Sequence, residues 1–274
     1  MQPADPFRRR TPDNPFQRRS PEEMARETQS QVHLLRPGAI CGTEGRGYPT
    51  PKNRPPERIV VDAGSGFIPL WAKGVTLHWR FQERSLSSFE DPEAVKTTLE
   101  DLLGRALVSW GRDVIPVRFA KSDHAWDFEI VMKRADDCDG SGACVLASAF
   151  FPDGGRHSVE VYPKMLTQSM KEMIDTIAHE LGHVFGCRHF FAAAEEFMRP
   201  SHIFGTHKPF SIMNYGSLSE LTDDDRGDLS RLYQLAWSGE LTQINGTPIR
   251  LMHPFHVNGV SLDSLMAASQ SSIQ

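Results

Sequence analysis

The stretch His179-Glu180-Leu181-Gly182-His183-Val184-Phe185-Gly186-Cys187-Arg188-His189 decides how the rest of this chain is read. His179 and His183 stand four residues apart, so on a helix of 3.6 residues per turn both imidazoles leave the same face and can share one ion. Glu180 directly follows the first of them, which sets a carboxylate beside that ion without making it a ligand. Gly186 frees the backbone to turn out of the helix, and the turn brings His189 round as a third nitrogen. Three protein ligands leave a fourth position for water, the arrangement of a catalytic zinc site rather than a closed structural one. Chance is a poor explanation: the bare H-E-x-x-H arises by accident in roughly one chain of this size in a hundred, and the added Gly and His reduce that by about a thousandfold.

Working outward, Ser169 and Glu172 have the spacing of a capping box at the start of that helix, and Met173, Ile174, Ile177, Leu181 and Val184 form its apolar side. Further upstream, Val75, Leu77, Trp79 and Phe81 alternate with polar neighbours, as in a strand with one buried face. Asp91-Pro92-Glu93 supplies a cap, a proline at the first helical position and an early acid. A long amphipathic helix follows, with Val95, Leu99, Leu102, Leu103, Ala106, Leu107 and Trp110 on one side. More strands are predicted over 115–119, 126–132, 144–151 and 157–162, the last two separated by the turn Pro152-Asp153-Gly154-Gly155. Thr222 and Asp225 predict the start of a final helix that runs to about Leu235, with Leu229, Leu232 and Leu235 inward. Strands first and helices later, with one helix between, give an α+β domain.

The chain has 274 residues, 39% of them hydrophobic, enough to bury one good core with appendages. No stretch approaches the roughly 18 apolar residues of a membrane span. A net charge of −5 argues against a general nucleic-acid binder, although the first twenty residues carry five Arg against two Asp. Residues 1–58 are rich in Pro, Arg, Gly and Gln and read as a largely disordered or pro-segment-like region. Residues 59–236 read as the catalytic domain, and 237–274 as a C-terminal extension. Asn245-Gly246 is a turn signal for a small hairpin there, and Asn245-Gly246-Thr247 is also a glycosylation sequon, of which the turn is the preferred reading. MQPADPFRRRTPDNPF lacks the apolar run of a secretory signal, which leaves the compartment open.

The segment His179–His189, together with Ser211-Ile212-Met213-Asn214-Tyr215, resembles the metzincin clan of zinc peptidases. From about 60 to 236 the chain is similar to the matrixins of that clan, in Trp71-Ala72-Lys73-Gly74-Val75-Thr76-Leu77-His78-Trp79, Trp110, Asp127-Phe128-Glu129-Ile130 and Asp224-Asp225 before Leu232-Tyr233. The resemblance implies a zincin-like fold, a twisted mixed sheet of about five strands with an active-site helix and a C-terminal helix. It implies one catalytic Zn2+ on His179, His183 and His189, with Met213 as an apolar floor beneath the imidazoles. The implied activity is endopeptide hydrolysis by a zinc-activated water, with Glu180 as general base and then acid. The substrate would bind as an extended strand along 144–151, at the sheet edge. Tyr215 stands where matrixins usually have proline; it is similar to the tyrosine of astacins and serralysins, which makes it a further candidate catalytic residue. The histidines of the matrixin structural zinc are missing from Leu146-Ala147-Ser148-Ala149-Phe150 and from Val159-Glu160, so no second zinc is expected there. Asp136, Asp137 and Asp139 are candidate calcium ligands but read better as an exposed acidic loop.

Cys41, in Ala39-Ile40-Cys41-Gly42, distantly resembles the matrixin cysteine switch, in which a thiolate takes the fourth zinc position. Cys138 and Cys144 are spaced either for a short disulfide or for free thiols, and Cys187 reads as a buried thiol with Cys41 as the rival partner. Between His189 and Met213 the aromatic run of Phe190, Phe191, Phe197, Phe204 and Phe210, with Met198 and Ile203, suits either an apolar specificity pocket or a hydrophobic subcore. His202 and His207 in the same loop read as surface residues. Two other functions compete with peptidase activity: a metzincin-like binding protein without turnover, and a zinc hydrolase of small amides or cell-wall material.

Overall fold

The computed structural model describes residues 39–41, 59–62, 66–140, 142–189, 201–204, 211–213 and 220–258. Strands β1 (Ala39–Cys41) and β2 (Ile59–Asp62) precede β3 (Ile68–Trp71) and β4 (Thr76–Phe81). A short helix α1 (Glu83–Leu86) leads into the long α2 (Pro92–Trp110), whose N-cap Asp91 accepts a hydrogen bond from Ala94 N at 3.0 Å. Next come β5 (Arg118–Lys121), β6 (Phe128–Met132), β7 (Cys144–Ser148) and β8 (His157–Val161). A 3-10 turn, Pro163–Thr167, delivers the chain to α3 (Met170–Val184), which carries the histidines. The rest comprises β9 (Cys187–Arg188), β10 (Ser201–Phe204), α4 (Asp223–Ser238), β11 (Gln243–Ile244), β12 (Thr247–Met252) and the turn α5 (Phe255–Asn258).

The main sheet runs β1-β7-β8-β6-β4-β5. Neighbours in it are parallel except β7 and β8, so a mixed five-strand sheet carries one short extra strand. That extra strand corrects the expectation for 144–151: β7 is not outermost, because Ala39, Ile40 and Cys41 pair with Cys144, Val145 and Ala147 and cover its outer edge. An open strand edge offers a row of unpaired N–H and C=O groups, which any extended segment of the same chain can satisfy. The strand placed at 115–119 begins instead at Arg118. Gly111 O accepts from both Val114 N and Ile115 N and holds the chain in a turn up to that point.

Alternation along β4 buries Leu77, Trp79 and Phe81, and β6 buries Phe128, Ile130 and Met132. Against these, α2 turns Val95, Leu99, Leu102, Ala106 and Trp110 inward, and α3 turns Met173, Ile177, Leu181 and Val184. The core thus lies between the sheet and the α2/α3 pair. In α4 Leu229 and Leu232 are fully buried, whereas Leu235 is half-buried and Tyr233 takes the inner position. A second sheet, β10-β2-β9, and a third, β11-β12-β3, are built from short strands. Asn245 and Gly246, both at positive φ, make the turn between β11 and β12, and β12 then pairs in parallel with β3. Among the described residues no helix is long and apolar enough to cross a membrane.

Candidate metal centre

Helix α3 starts at a reciprocal capping box: Ser169 Oγ accepts from Glu172 N, and the Glu172 carboxylate accepts from Ser169 N at 2.9 Å. Its far end is held by aromatic side chains from remote elements. Trp110 Nε1 donates to Ala178 O at 2.9 Å, Trp71 Nε1 to Val184 O at 2.7 Å, and the Tyr233 hydroxyl to Phe185 O at 3.0 Å. The last two of these oxygens lie beyond the reach of the helix's own ladder, so their partners both satisfy and orient the helix end.

Gly186, at φ +92°, then turns the backbone out. A Cβ there would meet Pro69 O at 3.2 Å and Leu70 Cδ2 at 3.3 Å, so both conformation and space call for glycine. Cys187 and Arg188 pair with Val61 and Val60 of β2, which fixes the path of the chain just before His189. His179, His183 and His189 are all buried, and their ring nitrogens converge: His189 Nε2 lies 3.0 Å from His179 Nε2 and 3.2 Å from His183 Nε2.

Hydrogen bonds set the tautomers. His179 Nδ1 contacts Ile212 O at 2.6 Å, and His183 Nδ1 contacts Cys187 O at 2.8 Å. A carbonyl only accepts, so both Nδ1 atoms carry the hydrogen and both Nε2 atoms present a bare lone pair toward His189. A cation between the three rings would take up both lone pairs. Tetrahedral zinc with Zn–N of 2.0–2.1 Å spaces its ligands about 3.3 Å apart, so this donor set fits the ion. Outer-shell carbonyls on the opposite ring nitrogen are the usual support of a histidine ligand.

Beneath the trio, Met213 and Gly182 are fitted to each other: a Cβ on Gly182 would collide with Met213 Sδ. Met213 is buried, and its turn is tied to α4, since Ser211 Oγ accepts from Met213 N at 3.0 Å and donates to Asp225 Oδ1 at 2.7 Å. Asp225 Oδ2 meanwhile accepts from Thr222 N and Thr222 Oγ1, closing the capping box of α4. Asp225 reads in the sequence as a cap and as part of the matrixin-like Asp224-Asp225 pair, without the link from Ser211. The signal of that link was the acid's second oxygen, which a cap leaves free.

Glu180 is buried on α3 and borders an apolar cavity lined by Leu99, Leu103, Phe128 and Val159. Tyr215, His207 and most of the 190–210 loop lie outside the described residues. Cys138 and Cys144 form a disulfide. Cys187 is a buried free thiol whose pKa is pushed up, first by burial and then by Asp225 and Asp228. In the acidic loop, Asp136 Oδ1 accepts from Lys164 N at 2.8 Å and Asp139 Oδ1 from Ala143 N at 3.0 Å. A family model described as matrixin matches residues 70–234, and no curated protein matches the chain.

Proposed function

The chain belongs to the matrixin family, and on that premise we propose that it is a zinc-dependent endopeptidase in which His179, His183 and His189 hold the ion and Glu180 moves the proton. The observation that carries this reading is the convergence of three buried imidazole nitrogens, with the opposite sides of His179 and His183 locked by backbone carbonyls. When bound there, zinc supplies Lewis-acid polarisation and lowers the pKa of a water toward ~7.

Glu180 follows the first ligand on the same helical turn, and its role is to accept the proton of the attacking water and hand it to the leaving amine as the peptide bond breaks. Tyr215, two residues after Met213, is assigned the donation of a hydrogen bond to the carbonyl oxygen as negative charge grows on it. The substrate is a peptide taken as an extended strand, and the edge of β7 is where its main chain would pair.

That edge is covered by β1. The pairing supports a pro-segment role for residues 1–58, with residues 59–236 as the catalytic body: a substrate strand reaches β7 only after β1 leaves.

Cleavage of a denatured protein by the purified chain tests the proposal. Activity is expected to be lost with a chelator, restored by zinc, and abolished in Glu180→Ala while the metal content stays at the wild-type level. Turnover of small amides with no cleavage of protein would transfer the site to another hydrolase class. Stoichiometric zinc without turnover of either would leave a binding protein.

A further inference from the structure

Apart from the His179 trio, β4, the residue before β6 and the C-terminal turn α5 bring together His78, Asp127 and His256. We propose that these three side chains form a second metal site, for a borderline divalent ion of the zinc, nickel or copper type, which staples the C-terminal turn to the main sheet. One ring nitrogen from each histidine and one oxygen from Asp127 all lie within 4.8 Å of one another. His256 Nδ1 is 2.8 Å from Asp127 Oδ2, close to the spacing of the nitrogens in the His179 trio. Two imidazoles and one carboxylate select such an ion over calcium or magnesium, which prefer all-oxygen sets.

Asp127 is the reason a cation belongs here. It is 2% exposed, and no Lys or Arg pairs with it among the described residues. Its oxygens accept from His78 N at 2.7 Å, His256 N at 2.8 Å and His256 Nδ1. A buried carboxylate with no Lys or Arg beside it carries a desolvation cost that a divalent ion on the same oxygen offsets.

The side chains are already neighbours, and one imidazole must rotate out of the stack for both to reach one ion. The two imidazoles stack with centroids 4.0 Å apart and planes 20° from parallel. Next to His256, Phe255 covers the Arg156 guanidinium at 4.3 Å, and Arg156 in turn lies over Trp126 at 4.4 Å. The stack holds α5 in place so that His256 meets Asp127 through both backbone and ring. His256 lies beyond the residues matched by the family model, so the family pattern does not supply this trio.

Metal counting on the full chain tests the site independently of peptidase activity. Chelator-stripped protein is dialysed against zinc and its bound metal measured by mass spectrometry. Two ions per chain are expected in the wild type and one in His256→Gln; His183→Ala should also hold one, and the double variant none. Asp127→Asn should match His256→Gln; if it fails to fold by circular dichroism, His78→Gln makes the same comparison. A single ion in the wild type that disappears in His183→Ala overturns the proposal, and so do two ions undiminished in His256→Gln. A single ion lost in His256→Gln but kept in His183→Ala would support this site and sink the proposed catalytic one.

Discussion

Gly182 shows how one missing methyl group can shape a metal centre. Alanine in a helix interior normally gains about 0.5–1 kcal/mol over glycine. Here the added carbon meets Met213 Sδ, and Met213 is buried with Trp110 close to the same point. Overpacking of this kind costs about 1–3 kcal/mol, so the clash outweighs the propensity gain. Gly182→Ala is therefore expected to lower the unfolding midpoint and, by displacing the floor under His179 and His183, to weaken zinc retention. Thermal unfolding with and without chelator measures both. An alanine variant as stable as the wild type and equally retentive would show that Met213 merely fills space. The grouping of His179 and His183 was legible because spacing on a helix is a local property, and that of His189 because Gly186 marks the turn before it. The carbonyls of Ile212 and Cys187 that set the tautomers were not, because backbone oxygens carry no side-chain signature.

The helices read clearly in the sequence because their caps and stripes are short-range. Asp91, Ser169 and Thr222 all cap as their types and spacings imply. At the start of α3 the Glu172 carboxyl is held below its ordinary value of 4.5, chiefly by the Ser169 hydroxyl and then by the Ser169 N–H. A folded-state pKa below the unfolded one stabilises fully above 4.5 and is lost as pH falls through the folded value. The group is exposed, so the effect is small. Ser169→Ala is expected to cost about 1 kcal/mol at neutral pH, and the gap to wild type should narrow well below pH 4.5. Denaturant titrations at the two pH values compare them, and an unchanged gap would remove Glu172 from the account. The short strands were harder to read. β2, β3, β9 and β12 are two to six residues long and find their partners far along the chain: Val61 pairs with Cys187, and Ile68 with Ile249. Their pairing is a tertiary fact that no local periodicity encodes.

At the scale of the whole molecule, the two flanking regions bear on the central domain in different ways. β1 lies along β7, so removal of residues 1–58 is expected to raise the rate of peptide cleavage severalfold at unchanged zinc content. A kinetic comparison of full-length and shortened protein measures it, and equal rates would leave β1 as structural edging. Composition indicated a loosely attached N-terminal region but could not reveal that three of its residues join the sheet. Nor could it reveal that the C-terminal β11 and β12 build a separate small sheet with β3.

The parallel pairing of β12 with β3 carries a consequence for how the protein is made. β3 is fully buried and is synthesised early, yet its pairing partner emerges from the ribosome more than 170 residues later, at Thr247–Met252. Until then its apolar edge stays open, a docking place for chaperones or for a neighbouring nascent chain. Translation that stops short of Thr247 would release a polypeptide with every catalytic candidate present and a sticky seam beside them, a product more apt to precipitate than to cut.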